Sequence, residues 1–255
     1  MAVSRFHTGA DIINDVSVEV GLDPVVDPFS SGEKAMIQLV RLLNIAGREL
    51  VELFEWQILI RSHQFITEEL DNGIYDLPSD FAYMINQTGW ERRENVPLIG
   101  PLSPQDWTYL QGRDLVGSTI YASFRLDQNK FYIFPNDPPP AGLDINYEYV
   151  SYNWVADGDV VPPPGAPPGD SDAVETANDV VLYPPVLISR YLKVKWLAAK
   201  NFDTTAAMDD FRTAFNSWAG HDNGAVILNA GNKWRGFPYL NLWNNTPDTG
   251  YGRVL

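Results

Sequence analysis

The sequence contains few side chains whose type and spacing suit catalysis or metal binding. Its three histidines, His7, His63 and His221, do not stand in the paired helical spacing that zinc hydrolases use. Asp222 follows His221 and could orient it as a general base, but no nucleophile-elbow serine accompanies the pair. A turn after a helix is the favoured interpretation. The chain has no cysteine, which excludes thiolate metal sites and cysteine nucleophiles.

Carboxylates are abundant, but none is placed as glycoside hydrolysis or calcium binding requires. The pairs Glu68-Glu69 and Asp209-Asp210 are neighbours in sequence, and neighbouring side chains diverge on a helix. A glycosidase needs two carboxylates that face each other across its substrate. Asp170-Ser171-Asp172 begins like a calcium loop, yet Val174 occupies a ligand position and Glu175 replaces the required glycine. We therefore predict no catalytic residue, no metal site and no cofactor.

The charge balance of the chain is strongly acidic. Its 255 residues include 33 Asp and Glu but only 18 Lys and Arg, which gives a formal net charge of −15. Tight phosphate binding needs many cationic side chains, so this balance disfavours a protein that holds nucleic acid or an anionic membrane. The start of the chain lacks the apolar core of a signal peptide, and no apolar run is long enough to span a membrane. We expect neither export nor anchoring.

Apolar residues repeat at helical spacing in both halves of the chain. The helices predicted from this spacing cover residues 9–21, residues 31–55, a segment that begins at Pro185, and about residues 205–219. Ser30 and Glu33 have the spacing of a capping box at the start of the long second helix. The long helix and the two C-terminal-half helices are expected to pack as a bundle.

The middle of the chain is predicted to be mainly β. Segments rich in β-branched and aromatic residues indicate strands at residues 56–67, 119–126, 130–134 and 145–154. Asp71-Asn72-Gly73 predicts a hairpin turn after the first strand, and Asp127-Gln128-Asn129 predicts one between the second and third. Pro104 follows Ser103 and predicts the first turn of a short helix that ends near Leu110.

Two segments lack a regular period. Residues 157–172 are rich in Pro, Gly and Asp and are expected to form an exposed, extended loop. The predicted fold class is therefore α+β, with a helical bundle, a mainly antiparallel β domain and an extended C-terminal tail. Its expected parts are helical part A (1–56), the β-rich domain (57–156), an acidic Pro-rich loop (157–183), helical part B packing on part A (184–220) and an aromatic tail (221–255).

Several short motifs occur in the order found in one phage protein family. In chain order they are Tyr75–Phe81, Pro97–Trp107, Phe131–Pro135, Ile145–Ser151 and Tyr191–Leu197. Together they make residues 30–220 resemble the phage head-to-tail adaptor (connector) family. The most similar type is the tail tubular protein A, or upper tail ring, of short-tailed phages. The loop at 157–172 and the long tail look particular to this chain.

This resemblance implies a non-enzymatic, structural virion protein of the tail neck that assembles in the cytoplasm of the infected cell. Such adaptors form a homo-oligomeric ring, usually of twelve copies, between the portal protein and the tail nozzle protein. The ring continues the channel through which DNA is retained and ejected, and DNA passes it without specific binding. The resemblance implies no membrane partner.

Acidic residues mark one region of the chain as anionic. Between Lys130 and Arg190 there are nine Asp and Glu residues and no Lys or Arg. We expect some of these carboxylates to face the channel, where they would repel the phosphates of DNA. The candidates are Asp157, Asp159, Asp170 and Asp172. A solvated loop on the outside of the ring is the alternative.

The aromatic tail is a second candidate contact, because anchor aromatics supply much of the binding energy at interfaces. We expect it to occupy a groove of the portal, with packing on its own domain as the alternative. The candidate residues are Trp234, Arg235, Phe237, Tyr239, Trp243 and Tyr251. Eight tryptophans and twelve tyrosines also leave open a phage tail-associated carbohydrate-binding module, and a glycosidase is a third possibility.

Overall fold

The secondary structure alternates between a helical and a β-rich part of the chain. The computed structural model describes residues 6–93, 95–112, 123–134, 141–159 and 168–222. The helices are α1 (Gly9–Glu19), α2 (Lys34–Leu53), α3 (Pro104–Gly112), α4 (Pro185–Ala199) and α5 (Thr205–Asp222). The strands are β1 (Ile60–Ile66), β2 (Ile74–Asp76), β3 (Phe81–Met84), β4 (Trp90–Glu91), β5 (Val96–Pro97), β6 (Ser123–Asp127), β7 (Lys130–Phe134), β8 (Asp144–Ser151), β9 (Val155–Ala156) and β10 (Val180–Val181). The predicted α+β class is confirmed.

The described residues divide into two compact units. The helical unit contains the residues up to Arg61 and those from Val150 onward, and it carries α1, α2, α4, α5, β9 and β10. The β unit contains the residues from Ser62 to Tyr149, with α3, the strands β2 to β7, and most of β1 and β8. The chain therefore passes between the units twice.

Helix α4 is the centre of the helical unit. It packs against α1, α2 and α5, and it buries Leu187, Ile188 and Leu192 completely. Apolar residues occur on several sides of α4, and such a helix is stable only when it is surrounded. Helix α2 is different, because most of its apolar residues follow one buried face and its other face is left to solvent.

A polar contact also joins α2 to α4. The carboxylate of Glu49 accepts hydrogen bonds from the Tyr191 hydroxyl and from Lys195 Nζ, the latter at 2.7 Å. Partial burial opposes ionisation of Glu49, but these two donors outweigh it, so the pKa of Glu49 lies below its ordinary value. Burial and the hydrogen bond to Glu49 raise the pKa of Tyr191.

The first two helices begin differently. At α1, Thr8 Oγ1 accepts from the Asp11 amide at 3.2 Å and the Asp11 carboxylate accepts from the Thr8 amide, which is a complete capping box. The capping box predicted for α2 is wrong, because Glu33 is itself the N-cap and makes no side-chain cap bond. Ser30 is engaged elsewhere: its hydrogen bond is the main reason why the pKa of Asp27 is lowered.

The β unit contains two sheets around an aromatic core. In one sheet the neighbours are β1, β8, β4 and β5 in that order, with β3 also paired to β8, and in the other they are β2, β7 and β6. Phe131 of β7 stacks on Phe124 of β6 at 4.8 Å and on Tyr147 of β8 at 5.5 Å, measured between ring centroids. Because β8 belongs to the other sheet, Phe131 links the two sheets.

One predicted hairpin is confirmed and one is wrong. Asp127 pairs with Lys130, and the two residues between them have φ of 47° and 58°, as a two-residue type I′ turn requires. The residues Asn72 and Gly73 also turn with positive φ, but β1 pairs with β8, and β2 pairs with β7. The Asp-Asn-Gly sequence sets a turn and does not choose the partner strand.

Two strands are shorter than the sequence predicts. The first begins at Ile60 because Gln57–Leu59 form a turn of 3-10 helix, and β8 ends at Ser151. Of the strand predicted at 119–126, residues 119–122 lie outside the described part of the chain.

Candidate partner-binding surfaces

The described residues contain no group of three or more His, Asp and Glu side chains suited to hold a metal ion. His221 and Asp222 belong to the last turn of α5 and not to a turn after it, and Asp222 Oδ2 accepts from the Gln57 amide at 2.7 Å. Helix α5 therefore continues past its predicted end, and Asp222 is engaged in a structural contact.

His63 is partly buried among aromatic rings of the β unit. Its ring centroid lies 5.4 Å from that of Tyr147 and 5.8 Å from that of Phe65. Burial lowers the pKa of His63, and the Asp80 carboxylate offsets this only in part. In these surroundings the His63 ring packs against the aromatic side chains at the side of the core.

The acidic loop is held at both of its described ends. Strands β9 and β10 pair in antiparallel register and close the segment between them. Ser171 forms a bridge with Val155, and the Asp157 amide donates to Asp170 Oδ1 at 3.1 Å. Residues 157–159 and 168–172 are irregular and mostly exposed, as predicted for a loop, while residues 160–167 lie outside the description. Backbone hydrogen bonds to Val155 of β9 hold the end of this loop in place without making it a strand.

Polar contacts hold residues 174–179 against α1 and α2. Buried Asp179 accepts from the Glu175 amide at 2.7 Å and from the amide and hydroxyl of Thr176 at 2.9 and 2.6 Å. Asn44 of α2 bonds to both the N–H and the C=O of Val174, at 2.8 and 3.1 Å. The Asp179 carboxylate therefore has a structural role, unlike the exposed acids of the anionic region.

Trp154 is the apolar support beneath the loop. Its side chain is fully buried, its ring stacks on Tyr183 at 5.7 Å, and Nε1 donates to the Asp172 carbonyl at 2.8 Å. The ring lies directly against Gly47 of α2, where a Cβ would come within 2.2 Å of Trp154 Cζ2. Only glycine fits there. Gly47, which would weaken an ordinary helix, therefore lets the Trp154 ring pack beneath the loop.

The four acids predicted to face a channel are all exposed on the helical unit. Asp172 forms an ion pair with Arg48 of α2 at 3.0 Å, which partly neutralises it. Asp157, Asp159 and Asp170 lie together, since Asp157 bonds to Asp170 as above and the Asp159 amide donates to Asp157 Oδ1 at 2.8 Å. Within the described chain these three carboxylates have no ion-pair partner, and we call them the acidic cluster.

Sequence reasoning missed a second surface, on the outer face of α2. Exposed residues at helical spacing run along this face, and we call them the α2 stripe: Lys34, Ile37, Arg41, Ile45 and Arg48. Ile37 and Ile45 are 44% and 45% exposed. The three-and-four spacing of the stripe is visible in the sequence, but it becomes informative only when the buried face is known.

The remaining candidate contacts are aromatic. The six tail residues predicted to bind the portal lie outside the described residues: Trp234, Arg235, Phe237, Tyr239, Trp243 and Tyr251. None of the six described tryptophans is exposed; their positions are 56, 90, 107, 154, 196 and 218. In this part of the chain tryptophan is a packing residue, which gives no support to a sugar-binding platform.

A family comparison matches most of the chain. No helix in the described part of the chain is long and apolar enough to cross a bilayer. A comparison with curated individual proteins finds no match. The family model for the SU10 adaptor protein matches residues 8–225, and this range contains all five helices and all ten strands described above. Because the match covers most of the chain, the protein belongs to the SU10 adaptor protein family of phage head-tail adaptors.

Proposed function

We propose that this protein is the subunit of a head-to-tail adaptor ring that joins the portal to the tail nozzle and continues the DNA channel. The family match over residues 8–225 carries this proposal. A family of structural adaptors implies a virion neck component that contacts portal and tail proteins. The twelve-copy ring and the resemblance to tail tubular proteins belong to the proposal, as does the absence of a catalytic role.

The two-unit architecture supports an adaptor role. Each unit has its own core, the helical unit around α4 and the β unit around Phe131. Two independently packed units can present separate surfaces to two different partners. One partner would be the portal above the ring and the other the nozzle below it.

The test is to image the purified protein by negative stain and to weigh it by native mass spectrometry, alone and after mixing with the portal of the same phage. A large ring, or a ring that forms only on the portal, is the expected result. A monomer or trimer that ignores the portal would refute the adaptor function. If that monomer or trimer bound glycans, a carbohydrate-binding module would replace the adaptor as the proposed function.

We place the acidic cluster on the channel wall of this ring. The support is that Asp157, Asp159 and Asp170 are exposed and have no described cation beside them, so their field acts on solvent. Asp172 faces the same surface with its charge reduced by Arg48. A map of the ring that puts residues 157–159 on the outer wall would refute this placement. Their charge would then serve solubility alone.

We assign the tail after α5 to the portal groove. The support is compositional, since Trp234, Phe237, Tyr239, Trp243 and Tyr251 are anchor residue types in a segment without core periodicity. Deleting residues 223–255 is expected to leave the melting of the fold unchanged and to abolish portal binding. Loss of the fold itself would show that the tail packs on its own chain.

A further inference from the structure

The α2 stripe is basic and apolar in a protein that is otherwise strongly acidic. Lys34 and Arg41 form no ion pair with any described residue, whereas Arg48 forms an ion pair with Asp172. The two isoleucines between these cations are almost half exposed. Cations and isoleucines in one row are typical of a contact surface, because solubility alone does not require exposed isoleucine.

Helix α1 carries a surface of the opposite kind. Asp11, Asp15, Val18 and Glu19 are exposed along one face, which we call the α1 stripe, and Val18 is 62% exposed. Glu19 pairs with Lys193 at 3.0 Å, whereas Asp15 has only a loose contact with His7 at 4.0 Å. The α1 stripe is therefore acidic with one apolar residue, and it complements the α2 stripe in charge.

The α1 stripe is long enough to cover the part of the α2 stripe from Lys34 to Arg41. Lys34 and Arg41 are seven residues apart, or about 10 Å along the helix axis, and Asp11 and Glu19 are eight residues apart, or about 12 Å. Two cations can thus face the carboxylates of α1 while Val18 lies against Ile37. Both helices bury their other face against α4, so each stripe lies on the outer face of its own helix.

We propose that the α2 stripe of one copy docks on the α1 stripe of a second copy. This inference rests on the proposed ring-forming function and identifies the surfaces that join neighbouring subunits. The α2 stripe cannot pair with itself, because its three cations would face three cations. The contact is therefore head-to-tail, and a repeated head-to-tail contact closes into a ring when the rotation permits.

Charge argues against other occupants of the α2 stripe. The tail at 223–255 contains three basic residues, Lys233, Arg235 and Arg253, and one acidic residue, Asp248, so its net charge is 3 − 1 = +2. A cationic tail does not complement a cationic stripe. DNA phosphate would be attracted to the cations, but it would gain nothing from the exposed isoleucines.

The test reverses one charge on each stripe. We expect Arg41→Glu to remove the oligomer, and Asp15→Arg to do the same, when the full-length protein is studied by native mass spectrometry alone and on its portal. A mixture of the two variants should assemble again, with the copies alternating around the ring. In such a mixture every α2 stripe that carries Arg41→Glu meets an α1 stripe that carries Asp15→Arg, and every unchanged α2 stripe meets an unchanged α1 stripe.

Controls separate charge at the site from total charge and from folding. The control Arg212→Glu, at an exposed position of α5, changes the net charge by the same amount as Arg41→Glu. This variant should assemble like the wild type. Thermal melting shows whether each variant folds, and Arg41→Gln replaces Arg41→Glu if the reversal prevents folding. Assembly by the mixture, where neither variant assembles alone, is the expected result.

Two results would overturn the inference and leave the adaptor function standing. One is that Arg41→Glu assembles like the wild type, which would leave the α2 stripe to the portal, to DNA or to the chain's own tail. The other is that both variants fold, fail alone and also fail when mixed, which would place the partner carboxylates elsewhere. If the wild type never forms a ring, even on the portal, the adaptor function and this inference fall together.

Discussion

Replacing Gly47 by alanine gives a direct test of how the acidic loop is supported. In an ordinary helix interior this change stabilises the helix by roughly 1 kcal/mol, because glycine loses more backbone entropy than alanine. In α2 the new methyl group would lie 2.2, 2.4 and 2.5 Å from three ring atoms of Trp154. Helix propensity and packing therefore predict opposite signs for the same substitution.

The packing effect should be the larger one. A normal contact between carbon atoms is about 3.5 to 4.0 Å, so the ring would have to move by more than about 1 Å. Full burial, stacking on Tyr183 and the hydrogen bond to the Asp172 carbonyl oppose that movement. Overpacking of this kind costs about 1 to 3 kcal/mol, and occasionally more. After the propensity gain of about 1 kcal/mol we expect a net loss of about 1 kcal/mol.

The assay is thermal unfolding followed by helical circular dichroism, because four of the five helices belong to the helical unit. A loss of about 1 kcal/mol corresponds to a fall in Tm of about 2 to 4 °C for a domain of this size. Gly220→Ala is the matched control, since it also lies in a helix and a Cβ there meets nothing within 4 Å. A Gly47→Ala variant as stable as the wild type, or more stable, would refute the reasoning.

Two further predictions concern Asp179 and His63. Asp179→Ala should lower the stability of the helical unit by about 2 to 3 kcal/mol, because the donors of Glu175 and Thr176 would lose a buried carboxylate. The control Asp170→Ala, at an exposed position, should not lower it. Hydrogen exchange at Glu175 and Thr176 should accelerate with the loss. For His63, the folded-state pKa lies below the ordinary 6.5, so the unfolded chain binds more protons and stability falls as pH drops below about 6.5. His63→Phe should lack this part of the pH dependence in urea titrations, and an unchanged dependence would contradict the burial argument.

The helices were predictable because their pattern is local. The apolar spacing that predicts residues 31–55 as one helix is the same face that the structure buries, including Met36, Leu39 and Leu43. The start of that helix was not predictable from spacing, because Ser30 satisfies Asp27 instead of the helix backbone. A capping motif in the sequence shows which hydrogen bond a side chain can form. A neighbouring group such as the Asp27 carboxylate can compete for that side chain.

Strand pairing and the loop were less predictable because they depend on distant partners. Asn72 and Gly73 take the expected positive φ, yet β2 reaches β7, more than fifty residues away, and not β1. Likewise, the acidic residues look uniform in the sequence, but Asp179 is buried while Asp157 is exposed. The α2 stripe could be recognised only from the structure, because packing against α4 determines which face of α2 is buried.

The distribution of charge bears on how such an acidic protein could assemble with itself. Subunits with a net charge of −15 repel one another unless their contacts place cations or apolar groups against the acids of the neighbour. The acidic cluster cannot be that contact, because it would bring like charges together. The α2 stripe can, since Lys34 and Arg41 are free of described ion pairs and Ile37 lies between them. A subunit can therefore keep its acids facing solvent, where we propose that DNA passes, and still bind its neighbour through a small cationic surface.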